Sequence, residues 1–168
     1  TVNVLECIRM TKSVRSSVII TTDKVYKNNE WIWGYREDEP LDGYDPYSNS
    51  KSCADLAVHC YRNSFFVQNG QAVSVARAGN VIGGGDFAVD RIIPDCVRAI
   101  EKGTIIQVRN PYSIRPYQHV LEPLSAYLLI AMKQWVEKSL SGYYNVGPDD
   151  EDVLTTGNLV NAFCDKWN

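Results

Sequence analysis

Apolar positions follow two rhythms along this chain. In "VNVLECIRM" Val4, Leu5 and Ile8 recur at the spacing of a helix face. No capping residue precedes them, so the segment reads as the tail of a longer helix. "SSVIITT" then reads as a short buried strand, followed by a polar, aromatic loop, "KNNEWIWGYREDEPLDGYD". Asp45 can cap the next helix, with Pro46 in its first turn. That helix, "YSNSKSCADLAVHCYRNSFFVQNG", is expected to bury Leu56, Cys60 and Tyr61 and to stop at Asn69-Gly70.

The alternation continues. "AVSVARA" reads as a strand, "GNVIGGGDFAVD" as a glycine-rich loop and "RIIPDCVRAIEKG" as a helix closing on Gly103. "TIIQV" reads as a strand, "RNPYSIRPYQ" as a loop and "HVLEPLSAYLLIAMKQWVEKS" as a long helix. "GYYNVG" is a short strand, and "TTGNLVNAFCDKW" an amphipathic helix. Strands alternating with helices predict an α/β fold with parallel strands joined by crossover helices. Such sheets bind ligands beyond the carboxyl ends of their strands. "TTDK" at Thr21–Lys24 and "ARAGNV" lie at two such ends.

Composition narrows the function classes. The 168 residues are 45% apolar and 22% charged, with a net charge of −3, which is ordinary globular usage. No Lys/Arg run stands out, which argues against a nucleic-acid or anionic-membrane partner. The longest apolar run, "YLLIAM", is far short of a bilayer span, and no leader pattern opens the chain. The five cysteines, Cys7, Cys53, Cys60, Cys96 and Cys164, form no C-x-x-C pair. They are expected to be small buried apolar residues of a reducing cytosol, with no metal site.

Two constellations carry chemistry. Thr22, Asp23 and Lys24 bring a hydroxyl, a carboxylate and an ammonium to one strand end. Tyr47 and Lys51 are four residues apart at a helix start, which puts them on one face. An ammonium beside a phenol favours the phenolate, which can exchange a proton with a substrate hydroxyl. Y-x-x-x-K alone is a weak signal, and an exposed helix pair has the same spacing. A Thr/Asp strand end before it and "R-x-G-N-V" after it strengthen it.

Together these features resemble the extended short-chain dehydrogenase/reductase family. "TTDKVY", "EWIWGYREDEPLDGYDPYSNSK", "ARAGNVIGGGD", "DRIIPD" and "RPYQHVLEPL" resemble its nucleotide-sugar 4,6-dehydratases, in the branch that acts on CDP-glucose. The resemblance covers nearly the whole chain. It implies a Rossmann-like parallel sheet with crossover helices and part of a smaller α/β substrate domain. Residues 1–80 would be the second half of the NAD-binding domain. Residues 81–168 would be mostly the sugar-nucleotide region, with some segments returning to the Rossmann domain. The family's G-x-x-G-x-x-G unit is absent from this sequence, so the chain is expected to be a fragment, inactive by itself.

The resemblance also implies roles. Tyr47 would take the proton of the sugar 4-hydroxyl, with NAD as cofactor, and Thr22 would hydrogen-bond that hydroxyl. Lys51 would also hold the nicotinamide ribose, and Thr21 and Arg77 would lie at the cofactor. Asp23 would be the acid and Lys24 the base of the elimination, where the dTDP-glucose enzymes carry Asp-Glu. As neighbours, Asp23 and Lys24 would each stabilise the other's charged form, against both roles. Asn80, Arg91, Arg115, His119 and Asn145 are the candidates for substrate contact, although a local structural role fits Arg77, His119 and Asn145 at least as well. Trp31, Trp33 and Tyr35 could stack on a base or simply pack the loop. The resemblance further implies a cytoplasmic homo-oligomer, a dimer or a dimer of dimers, making deoxysugars for surface polysaccharide such as O-antigen lipopolysaccharide. Two other readings remain open: another nucleotide-sugar epimerase or reductase of the same family, and a non-catalytic dinucleotide-binding domain.

Overall fold

A computed structural model describes residues 1–167. In chain order the elements are α1 (Val2–Met10), β1 (Ser16–Ile20), α2 (Pro46–Tyr61), β2 (Ala72–Ala78) and β3 (Val81–Ile82). They continue with α3 (Ile92–Glu101), β4 (Ile114–Arg115), β5 (Gln118–His119), α4 (Leu121–Val136), β6 (Tyr143–Val146), β7 (Leu154–Thr155) and α5 (Thr156–Lys166). A 3-10 turn, Asp23–Val25, follows β1. The fold divides into two compact units, Thr1–Ala78 with Glu122–Val146, and Gly79–Leu121 with Gly147–Asn168.

The first unit is built on a parallel sheet of order β1-β2-β6. Ser16 to Ile20 pair with Ala72 to Ala76, and Val75 to Ala78 with Tyr143 to Val146. The parallel strands need long crossovers, and α2 and α4 supply them. All seven residues of the central strand β2 are buried. Leu5, Ile8, Val58, Phe66, Val73 and Val75 form the core cluster. Each such side chain contributes about 1.5–3 kcal/mol by leaving water. The long helix of α2 passes through a π turn, Arg62–Phe66, and ends at Gly70, whose φ of 67° is left-handed.

Polar contacts also fix this unit. Gln134 of α4 is fully buried, and its amide donates to Ser16 Oγ and to the Ser17 carbonyl, both at 2.9 Å. Its carbonyl accepts from Ser74 Oγ at 2.5 Å, and that oxygen in turn accepts from the Gly142 amide. A buried glutamine is tolerated because its amide and carbonyl are both bonded.

The second unit contains two small sheets, β3-β5 parallel and β4-β7 antiparallel, with α3 against α5. Three expectations fail. "TIIQV" forms no strand, and two-residue strands arise instead at Ile114–Arg115, within "RNPYSIRPYQ", and at Gln118–His119, across its end. Their pairing depends on residues far along the chain, with Arg115 opposite Leu154 and His119 opposite Ile82. Only Cys96 is buried; Cys7, Cys53, Cys60 and Cys164 are exposed free thiols. The buried face of α2 is Ser48, Ser52, Ala54, Asp55 and Val58, while Leu56 is 54% exposed, Cys60 is exposed and Tyr61 is half-buried. The polar side chains of that face are satisfied by the helix cap, the turn after β1 and the strand ends, so hydrophobicity misassigned it. No helix among the described residues is long and apolar enough to cross a membrane.

Candidate active site

The carboxyl ends of β1 and β2 carry Thr21 and Arg77, and α2 passes beside them. Asp45 caps α2, accepting from the amides of Tyr47 and Ser48 at 2.9 and 3.1 Å. The Ser48 hydroxyl also donates to it and holds the Asp45 carboxyl below the usual carboxylate range. Pro46 fills the first turn, where its missing N–H costs nothing. This start presents Tyr47, 55% exposed, and places the Lys51 ammonium 6.0 Å from its ring centroid, at the outer reach of a cation–π contact.

Thr22, Asp23 and Lys24 leave β1 through the 3-10 turn. Thr22 is 7% exposed; its hydroxyl donates to Asp23 Oδ1 at 2.9 Å and accepts from the Lys24 amide at 3.4 Å. Lys24 is exposed. Among the described residues no carboxylate forms an ion pair with its ammonium. Asp23 faces the Thr22 hydroxyl, and no contact ion pair joins it to Lys24.

The Ser52 hydroxyl joins this turn to α2. It donates to the Val25 carbonyl at 2.8 Å and accepts from the Gly43 amide at 3.1 Å. Gly43 lies against the first turn of α2, and a Cβ there would sit 2.3 Å from the Ser48 carbonyl carbon. The turn, the Gly43 loop and the helix bearing Tyr47 and Lys51 thus meet at one serine.

Beneath them lies a buried polar network. Asp55 accepts from Thr21 Oγ1 at 2.9 Å, Arg77 Nε at 3.3 Å and Arg77 Nη2 at 3.1 Å. Arg77 Nη1 donates to Tyr26 OH at 2.6 Å and to the Glu37 carbonyl at 2.9 Å. Burial opposes the Arg77 charge, but the hydrogen bonds and attraction of Asp55 outweigh it and hold the guanidinium above its ordinary range. Burial likewise pushes the Tyr26 phenol up, against the pull of Arg77. Tyr26 therefore stays a neutral donor, to Asn145 Oδ1 at 2.6 Å.

The side chains of Thr21 and Arg77, expected at the cofactor, are thus committed to protein partners. Asn145 is similar: its side-chain amide donates to the Tyr35 carbonyl at 2.8 Å and its backbone amide to Glu37 Oε1 at 2.9 Å. Tyr35 stacks on Tyr26 at 5.2 Å and Trp31 leans on Tyr35, whereas Trp33 is 65% exposed. In the second unit Arg91 is the residue before α3 and Arg115 is an exposed β4 residue. The Asn80 carbonyl accepts from the Gln118 amide, and His119 Nδ1 accepts from the Leu121 amide.

Sequence reasoning missed Ser52, Asp55, Tyr26 and Gly43. A signal existed for Asp55: it lies one helical turn after Lys51 and two after Tyr47, among small residues.

The chain is 50% identical to CDP-glucose 4,6-dehydratase of Salmonella typhimurium, an alignment covering 99% of this chain and 48% of the relative. The chain thus spans about half the length of the curated relatives it matches. Its fold is similar to that of Bacillus anthracis dTDP-glucose 4,6-dehydratase, solved in complex with NAD (TM-score 0.81, 24% identity, 95% of this chain and 48% of that one). It is also similar to UDP-glucuronic acid 4-epimerase of Bacillus cereus (TM-score 0.79, 15% identity, 98% and 50%). These likenesses identify a Rossmann-type α/β fold common to dehydratases and epimerases. The family model for GDP-mannose 4,6 dehydratase matches residues 1–147, most of the chain, and the chain belongs to that family.

Proposed function

We propose that, within a protein of its relatives' length, this chain serves an NAD-dependent 4,6-dehydratase converting CDP-glucose to CDP-4-dehydro-6-deoxyglucose. The observation that carries this reading is the Ser52 junction, which ties the Asp23–Val25 turn to the helix of Tyr47 and Lys51. The identity with the Salmonella dehydratase supports the cytidine nucleotide. An epimerase would leave Asp23 and Lys24 idle.

Tyr47, as phenolate, takes the proton of the sugar 4-hydroxyl, which Thr22 orients. The resulting 4-ketone makes the C5 proton acidic. Lys24 removes that proton while Asp23 protonates the departing 6-hydroxyl, and water leaves. Lys24 suits a base in that no carboxylate among the described residues holds its ammonium. Asp23 must give up the Thr22 bond when it carries a proton toward the substrate.

The exposed phenol of Tyr47 with Lys51 one turn on is a donor set that fits a nicotinamide ribose. The chemistry that a bound NAD supplies is reversible hydride storage, taken from C4 and given back at C6. Asn80, Arg91 and Arg115 are proposed for the substrate's diphosphate, for which guanidinium groups are suited, and His119 for a further substrate contact. The reading extends to a cytoplasmic homo-oligomer making deoxysugars.

The test is incubation of the full-length protein with CDP-glucose and NAD. A 4-keto-6-deoxy sugar should form without net NADH. Accumulation of CDP-galactose would overturn the reading.

A further inference from the structure

α2 buries a polar face where a helix ordinarily buries an apolar stripe. Ser48, Ser52 and Asp55 occupy it at 2, 3 and 0% exposure. Ser48 and Ser52 each follow a residue of the Tyr47–Lys51 pair, and Asp55 lies one turn beyond Lys51. The other side of this seam is the segment that carries Thr22, Asp23 and Lys24. Thr21 Oγ1 reaches Asp55 at 2.9 Å, and the Val25 carbonyl receives Ser52 Oγ at 2.8 Å. The reacting trio is therefore bracketed, one residue before and one after, by hydrogen bonds to one helix. Arg77 closes the arrangement from β2 by pairing with Asp55.

We propose that this seam is a positioning device: Thr21, Ser52 and Asp55, backed by Arg77, set the register of Tyr47 and Lys51 against Thr22, Asp23 and Lys24. This rests on the dehydratase reading for its consequence in rate, but not for its structural content. The physical reason is directional. Apolar faces can slide past one another by a fraction of an ångström at small cost, whereas hydrogen bonds near 2.9 Å weaken steeply with distance and angle. Buried ion pairs add little net stability over apolar packing, and setting a unique arrangement is a role they can serve. A register error of about 1 Å in a reacting constellation can cost on the order of a hundredfold in rate. The side chains of Thr21, Asp55 and Arg77 bond one another, and Ser52 bonds Val25, so these are proposed as positioning residues.

Thr21→Val in the full-length protein tests this, because it removes one hydroxyl at nearly constant shape. We expect kcat for CDP-glucose to fall about tenfold, with KM for CDP-glucose and for NAD within about twofold. Amide exchange of the Thr21–Val25 segment in the ligand-free protein should quicken about tenfold, the scale of one hydrogen bond to a charged group. Thr21→Ser, which keeps the hydroxyl, should restore both. Unchanged kcat and unchanged exchange would overturn the proposal. So would a raised KM for NAD with kcat and exchange unchanged, which would make Thr21 a cofactor contact. If the unsubstituted protein does not turn over CDP-glucose, the dehydratase reading fails while the exchange measurement still decides the seam. Ser52→Ala, which releases the Val25 carbonyl and the Gly43 amide, carries the same readouts should Thr21→Val not yield folded protein.

Discussion

Asp55 and Arg77 form a bidentate pair, Nη2 to Oδ1 at 3.1 Å and Nε to Oδ2 at 3.3 Å, with side chains 0 and 2% exposed. One charge comes from the middle of α2 and the other from the end of β2. Two residues 22 apart in sequence thus lock a helix to a strand where the sheet opens toward the candidate site.

Breaking this pair should be costly. Asp55→Ala leaves a buried guanidinium without its carboxylate and should destabilise the protein by about 3–5 kcal/mol. Replacing both partners together, as Asp55→Leu with Arg77→Met, should recover most of that loss. Denaturant titration of the single and double variants reads the difference, and equal losses in both would contradict it.

Gly43 should tolerate no side chain. A Cβ would fall 2.3 Å from the Ser48 carbonyl carbon and 2.6 Å from the Asn49 amide nitrogen, both backbone atoms. Gly43→Ala should cost about 1–3 kcal/mol, as overpacking does, and displace the first turn of α2. Thermal melting measures the cost, and a wild-type midpoint would exclude the clash.

Acid should loosen the start of α2 in a defined direction. The bonds from Ser48 and Tyr47 hold the Asp45 carboxyl below its ordinary value. A carboxylate lowered on folding stabilises the native state above its unfolded pKa, about 3.9, and that contribution is lost as pH falls through the folded value. Exchange of the Tyr47 and Ser48 amides, corrected for intrinsic pH dependence, should therefore quicken below about pH 4. In Asp45→Ala it should be fast at every pH.

Lys24→Met should separate the two halves of the proposed reaction. Oxidation at C4, measured as transient NADH in a single turnover, should persist. Exchange of the C5 proton with solvent should fall by at least about a hundredfold, the scale of general-base catalysis. Exchange at the normal rate would remove Lys24 as the base.

Phe66 closes the core beside Leu5, Val58 and Val75 and is fully buried. Phe66→Ala should destabilise by about 3–5 kcal/mol through lost burial and a cavity. A loss under about 1 kcal/mol in denaturant titration would mean that the site collapses around the gap.

Much of this molecule was legible in sequence because the signals are local. The Asp45-Pro46 start of α2, its left-handed end at Gly70 and the strands "SSVII" and "AVSVARA" follow from capping chemistry, backbone sterics and β-branched runs. The spacing of Tyr47 and Lys51 needed only the helical period. Long motifs carried the family resemblance, since twenty-odd matched residues specify far more than Y-x-x-x-K.

What tertiary structure decided was which polar groups meet. "TIIQV" has strand composition but finds no partner strand, whereas Ile114 and Arg115 pair with Thr155 and Leu154 because the chain returns beside them. Leu56 was expected on the buried face of α2, a face that Ser52 and Asp55 occupy instead. A serine or aspartate can be buried when partners satisfy it, and those partners, Val25, Gly43, Thr21 and Arg77, come from other segments. Asp23 and Lys24 are adjacent in sequence, but the 3-10 turn gives Asp23 to the Thr22 hydroxyl. Adjacency along a chain does not set side-chain direction; backbone geometry does.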